Sequence, residues 1–111
     1  MAAPIESYGE FWPVYLRAHT RPATRAMHYA GTTLGVVLLI LAAALAAPWL
    51  VLTALVVGYG FAWTGHFAIE GNRPATFGHP LWSFVSDFRM LGLWLTRRLD
   101  GELEKAGIES N

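Results

Sequence analysis

Between Arg25 and Glu70 the chain carries no Asp, Glu, Lys or Arg, so the 44 residues from Ala26 to Ile69 form one uncharged stretch. A membrane span needs about 20 mostly apolar residues at a rise of about 1.5 Å each. The stretch is therefore long enough for two spans and too long for one. Pro48 lies near its midpoint. A proline inside a helix removes a hydrogen bond and clashes with the preceding turn, so Ala46, Ala47, Pro48 and Trp49 read as the tip of a tight helical hairpin. The spacing predicts helices over about 29–46 and 49–64.

The alternative is the buried hairpin of a water-soluble helical bundle. It is disfavoured by the lack of a polar face: Gly31, Thr32, Thr33, Gly35, Thr53, Gly58 and Gly60 are the only breaks, and small residues of this kind let helices pack closely in lipid. The expected fold is all-α: a single membrane domain over the 111 residues, with an integral-membrane hairpin and amphipathic helices flanking it on one side. A cleaved signal peptide is not expected, because the apolar run starts near residue 29, behind patterned aromatic sequence. Arg17, Arg21 and Arg25 precede the first span and Arg73, Arg89, Arg97 and Arg98 follow the second, while the tip is uncharged. The positive-inside tendency then puts both termini in the cytoplasm of a bacterial inner membrane or an endoplasmic-reticulum-like one.

Two segments flank the hairpin. Ser7 stands three positions before Glu10 in a capping-box pattern, followed by Phe11, Tyr15 and His19 at spacings of four, which predicts an amphipathic helix over about 7–19. Pro13 suits only a first turn, so a start near Glu10 is the other option. Pro80 opens a second pattern in which Leu81, Phe84, Val85, Phe88, Leu91, Leu95 and Leu99 form a helical stripe over about 80–99. Asp87 and Arg89 in its middle argue against a full span and for a helix lying at the interface or against the hairpin. Residues 100–111 read as a polar, frayed tail.

Formal charge is balanced, eight basic against eight acidic side chains, with no Lys or Arg run, which argues against a nucleic-acid partner. The absence of cysteine removes disulfides, iron–sulfur clusters, thiolate zinc sites and cysteine nucleophiles together. A metal would have to sit on His, Asp or Glu.

The chain has four histidines, His19, His28, His66 and His79. His28 enters the first span and His66 leaves the second, so an antiparallel hairpin returns them to one side; His19 and His79 lie in segments that share that boundary. Neutral imidazole is a common ligand for iron and zinc, so a shared site of three or four imidazoles is the expected metal centre, with all four histidines as candidates. Glu70, one turn after His66, is open to roles as ligand, as acceptor from an imidazole N–H, as proton carrier, or as an ion-pair partner of Arg73. Tyr8, Tyr15, Tyr29, Trp12, Trp63 and Trp82 read as packing and interface residues. No nucleophile elbow, P-loop, dinucleotide fingerprint or H-E-x-x-H is present.

YLRAH, TRPATRAMHYAGT and, after the hairpin, WTGHFAIEGNRPATFGHPLWSF together resemble a family of small integral-membrane proteins whose fungal members are iron-dependent 2-hydroxy fatty acid dioxygenases. The likeness runs from about Phe11 to Met90. It rests on a histidine pair nine apart, His19 and His28, and on the block Gly65, His66, Glu70, Pro74 and Ala75.

The resemblance implies an activity in which ferrous iron and O2 shorten a 2-hydroxy acyl chain by one carbon, with the family's histidines as iron ligands and the acyl tail in the bilayer. It implies a membrane lipid or fatty acyl substrate; Arg73 or Arg25 is the candidate to pair with its carboxylate, the other reading of an arginine at this flank being a topology anchor. Fold and metal carry over from such a likeness more safely than substrate does. Two other readings of the residues stand beside it: a zinc-dependent membrane lipid hydrolase, and a non-enzymatic membrane protein whose histidines make only interfacial hydrogen bonds. A homo-oligomer is left open.

Overall fold

Ser7 caps the first helix, α1 (Tyr8–Arg17), by accepting a hydrogen bond from the Glu10 N–H at 3.2 Å. The Glu10 carboxylate reaches back to the Glu6 N–H at 2.9 Å, so the expected capping box sets the start. Pro13 is accommodated inside the helix, beyond the first turn, at the loss of the bond its N–H would have made to Gly9. The computed structural model describes residues 4–108, all-helical with no strand among them.

The hairpin pairs α2 (Pro22–Ala44) with α3 (Trp49–Thr64). α2 begins at Pro22, ahead of the expected Tyr29. Two causes extend it: a proline with its φ preset at the first helical position, and a carboxylate from elsewhere in the chain that satisfies the amides at its start. The tip is as expected. Ala46 adopts φ 50, Ala47 donates to the Ala42 carbonyl at 2.9 Å, and Pro48 precedes the first residue of α3.

α3 passes without a break into a wider π-helical turn, Gly65–Glu70, ended by Gly71 at φ 78. The two spans meet through small residues. A Cβ on Gly31 would lie 2.8 Å from Phe61 Cβ and 2.9 Å from the Gly58 carbonyl, so only glycine permits this approach.

Pro22–Ala44 and Trp49–Glu70 are both long and apolar enough to cross a membrane, and only 22% of each apolar window is buried. The core helix of a water-soluble bundle would be mostly covered. Here Ile40, Leu52 and Val56 are each more than 60% exposed.

The remaining helices, α4 (Pro80–Leu95) and α5 (Leu99–Lys105), pack with α1 at the open end of the hairpin. The α4 stripe points the opposite way from a water-soluble helix. Leu81, Phe84, Val85, Phe88 and Leu95 are exposed, whereas Ser83, Ser86 and Met90 are buried. The expected single helix over 80–99 is interrupted where Arg97 takes φ 61 and Arg98 donates to the Leu93 carbonyl at 2.8 Å.

The expected polar tail is corrected. Leu99, Leu103 and Ala106 recur at helical spacing and enter one core with Phe11, Trp12, Tyr15 and Leu16. The Trp12 indole N–H donates to Glu102 at 2.9 Å, and this bond holds that carboxyl below its usual range. Residues 109–111 of the expected tail lie outside the described residues.

Candidate metal centre

Three histidines converge where the hairpin meets the small helices. His19 sits in the turn after α1, where the Arg25 guanidinium donates to the carbonyls of His19 (2.7 Å) and Thr20 (3.0 Å) and fixes the loop. His28 lies in the second turn of α2, and His66 is carried by the π-helical turn, whose extra residue per turn is a common device at functional sites. His19, His28 and His66 are 0%, 4% and 1% exposed. Their ring centroids lie 4.3 to 4.9 Å apart.

The two nitrogens of these rings are used differently. His19 Nε2 is 2.8 Å from His28 Nε2, which is 3.0 Å from His66 Nε2. On the outer side, His19 Nδ1 faces the Tyr15 carbonyl at 2.5 Å and His66 Nδ1 faces Asn72 Oδ1 at 2.7 Å. Both partners are acceptors. Asn72 is oriented by its own Nδ2–H, which donates to the Ala18 carbonyl at 3.0 Å.

The outer nitrogens must therefore carry the protons, leaving His19 and His66 with bare Nε2 lone pairs aimed inward. His28 Nε2 lies between the two lone pairs; its N–H donates to one of them in the metal-free chain, and a cation that takes the place of that proton would meet all three nitrogens. Burial, followed by the neighbouring His28 and His66, holds the His19 imidazole well below its usual pKa, in the neutral form that binds metal. His19, His28 and His66 thus fit a metal ion, each offering one ligand nitrogen.

A carboxylate completes the outer side. Asp87 Oδ1 stands 3.4 Å from His28 Nδ1 and accepts a hydrogen bond from the Tyr15 hydroxyl at 2.5 Å. Tyr15 is fully buried, and burial and then Asp87 raise its hydroxyl well above the ordinary value. Both residues read from sequence as bystanders, Tyr15 as packing and Asp87 as an obstacle to a span. A lone carboxylate in an apolar stripe was the available signal for Asp87; Asn72 gave none beyond its place in a turn.

The other expected site residues lie as follows. The expectation that four imidazoles converge is corrected to three. His79 caps the start of α4, stacked on Trp82 at 5.2 Å and tilted against Phe11 at 5.2 Å, because Pro74 and the turn Ala75–Phe77 carry the chain away before α4 begins.

Both Glu70 oxygens are taken by the start of α2: the N–H groups of Thr20 (3.2 Å) and Arg21 (3.1 Å) and the hydroxyls of Thr24 (2.7 Å) and Thr20 donate to them. This is the carboxylate that lets α2 begin at Pro22. Arg25 is buried on main-chain carbonyls, and Arg73 is exposed with its guanidinium 5.3 Å from the Phe77 ring.

An apolar helical hairpin carrying a buried cluster of three imidazoles at its open end defines a helical protein with a candidate metal centre. Within that class the chain belongs to the 2-hydroxy-palmitic acid dioxygenase Mpo1-like family, whose model matches residues 5–99. No curated protein and no solved structure matches it.

Proposed function

We propose that this protein is an integral-membrane dioxygenase in which His19, His28 and His66 hold one ferrous ion, and that it shortens a 2-hydroxy fatty acid by one carbon. The observation that carries the reading is the inward convergence of imidazole nitrogens backed by oxygen acceptors, in a chain of this family. Bound iron supplies the means to activate O2 beside a chelating substrate. The overall change balances as a 2-hydroxy acid and O2 giving the acid one carbon shorter, carbon dioxide and water.

The choice of iron over zinc rests on the family, whose model is that of a 2-hydroxy-palmitic acid dioxygenase. The chain's own groups orient the ligands: the Tyr15 carbonyl and Asn72 hold the outer nitrogens of His19 and His66, Asp87 stands 3.4 Å from that of His28, Glu70 ties the His66 segment to α2, and Arg25 holds the His19 loop. Glu70 and Arg25 act as positioning residues, and Arg73 is left as the partner for the substrate carboxylate.

The exposed apolar hairpin lies in the bilayer, and the arginine-rich open end with both termini faces the cytoplasm. Asp87 faces the histidines and the Arg89 guanidinium lies over the Trp12 ring, so α4 can turn its exposed apolar side to lipid with both charges held toward the other helices.

Protein purified without oxygen and loaded with iron should consume O2 with 2-hydroxypalmitic acid and release the odd-chain acid. Activity supported by zinc without O2 would replace this reading with a hydrolase. Unchanged bound metal and unchanged turnover of hydroxylated lipid after both His28→Ala and His66→Ala would replace it with a non-enzymatic membrane protein.

A further inference from the structure

A narrow cleft of about 70 Å³ runs along the hairpin and ends at Asp87. On α2 it is lined by Gly31, Gly35 and Leu39, which follow His28 by three, seven and eleven residues and share its helix face. On α3 it is lined by Ala62, Tyr59 and Leu55, which precede His66 by four, seven and eleven. The cleft therefore extends the two faces that carry the imidazoles.

α4 supplies the third wall with Phe84 and Phe88, whose rings lie 5.1 Å apart, and with Asp87 at the inner end. Asp87 is the carboxylate beside His28 Nδ1, so the cleft joins the metal centre through a direct contact. That nitrogen is buried and makes no hydrogen bond. A larger recess of about 940 Å³ between α2 and the α4–α5 end lacks Asp87 in its lining and so has no such contact with the cluster.

We infer that the cleft holds the first part of the substrate's acyl chain, head toward the three histidines, and that the chain beyond Leu39 and Leu55 runs on into lipid. This rests on the fatty acyl reading above. The shape selects the occupant: an apolar slot lined by Gly31, Gly35 and Gly58 and walled by two phenylalanines admits an unbranched chain and refuses a ring or a head group. Its lining from Gly31 to Leu39 spans about 12 Å at about 1.5 Å per residue, while its volume, about half that of a ~150 Å³ cavity that takes a benzene ring, encloses only a few carbons, the rest of the chain lying along its open side. The protein then reads the chain near the head and is indifferent to its far end.

The test uses the iron-loaded full chain in lipid nanodiscs with a 2-hydroxy fatty acid bearing a mid-chain diazirine. Irradiation followed by peptide mapping should place the label on Gly35, Leu39, Leu55 or Phe88, with competition by unlabelled 2-hydroxypalmitic acid. Thr32→Phe, which fills the cleft from the α2 side, should cut labelling by about tenfold or more with bound iron unchanged. Leu39→Trp is the second variant should Thr32→Phe fail to fold. Label confined to the outer residues Ile40 and Val56 or to Trp94, or label unmoved by the folded variants, overturns the inference.

The two readings fail separately. Cleft labelling without O2 consumption keeps the cleft and removes the dioxygenase. O2 consumption with an unchanged KM in the plugged variants keeps the dioxygenase and removes the cleft.

Discussion

His19 and His28, nine residues apart in sequence, bring their Nε2 atoms to 2.8 Å, while the His19 proton is committed to the Tyr15 carbonyl on the far side of the ring. The His19 lone pair is met by the His28 Nε2–H in the metal-free chain, or by a cation in the place of that proton. Replacing His28 by Ala should therefore abolish stoichiometric metal in protein purified without oxygen. His79→Ala, which removes a ring stacked on Trp82, should leave bound metal within error of the parent. Metal analysis of both variants decides the matter, and equal losses would reject a three-histidine site.

The outer partners should matter next. Groups that orient a ligand imidazole typically change metal affinity by about 10- to 100-fold. Asn72→Ala should weaken iron binding by about that much, since Asn72 Oδ1 is the acceptor for His66 Nδ1. Asp87→Asn should do the same through His28, and Tyr15→Phe should have a smaller effect because it removes only a donor to Asp87. Competition with a calibrated chelator gives the ratios, and parental affinity in Asn72→Ala would show that the ring needs no such support.

Acid should loosen the metal-free protein from this corner. The buried His19 imidazole takes its proton at a lower pH in the folded chain than in the unfolded one, whose value is about 6.5. Between those two values the unfolded state binds more protons, so stability rises with pH there and falls as pH drops below about 6.5. Thermal unfolding of metal-free protein in detergent, followed from pH 8 to pH 5, should show Tm falling on the acid side. His19→Gln should flatten that fall; an identical slope in the variant would assign the acid sensitivity elsewhere.

Close approach of the spans should be equally sensitive. Gly31→Ala sets a methyl group against the Gly58 carbonyl and Phe61 Cβ, both under 3.0 Å, and overpacking of this kind costs about 1–3 kcal/mol. Gly35→Ala, where the nearest atom is the Ala54 carbonyl at 3.6 Å, should be close to neutral. Denaturation in mixed micelles compares the two, and a neutral Gly31→Ala would mean that the helices are free to separate.

Relief of strain should act in the other direction. Arg97 holds a left-handed backbone at φ 61, which costs a residue with a side chain about 1–2 kcal/mol relative to glycine. Arg97→Gly should raise stability by about 0.5–1 kcal/mol after the added freedom of the unfolded glycine is subtracted. A lower Tm in the variant would show that the Arg97 side chain contributes more than its backbone conformation takes away.

The hairpin was legible because a 44-residue stretch without charge, divided by Pro48, allows few other solutions. The early start of α2 was not, because its first turn is stabilised by Glu70 from the end of the other span, and no local pattern reports a contact across 46 to 50 residues. The stripe on α4 was found but its direction was not. Periodicity shows that a helix has two faces and is silent on which faces the solvent when lipid is an option.

Leu99, Leu103 and Ala106 were hidden among charges and missed as a core face. Of the metal centre, the three imidazoles were readable from the geometry of a hairpin. Asp87 and Tyr15 were not, because their partnership with His28 and His19 joins α1, α2 and α4 and exists only once those helices are packed.

Two of the three imidazoles lie on the amino-terminal side of the hairpin and the third on its carboxy-terminal side. As the chain is made, His19 and His28 appear together, and His66 follows only after both apolar helices have left the ribosome. A two-imidazole half-site is a weak trap for any cation. Tight retention of a metal would thus begin only when the second helix folds back on the first, and an occupied centre would be a record that the hairpin has closed.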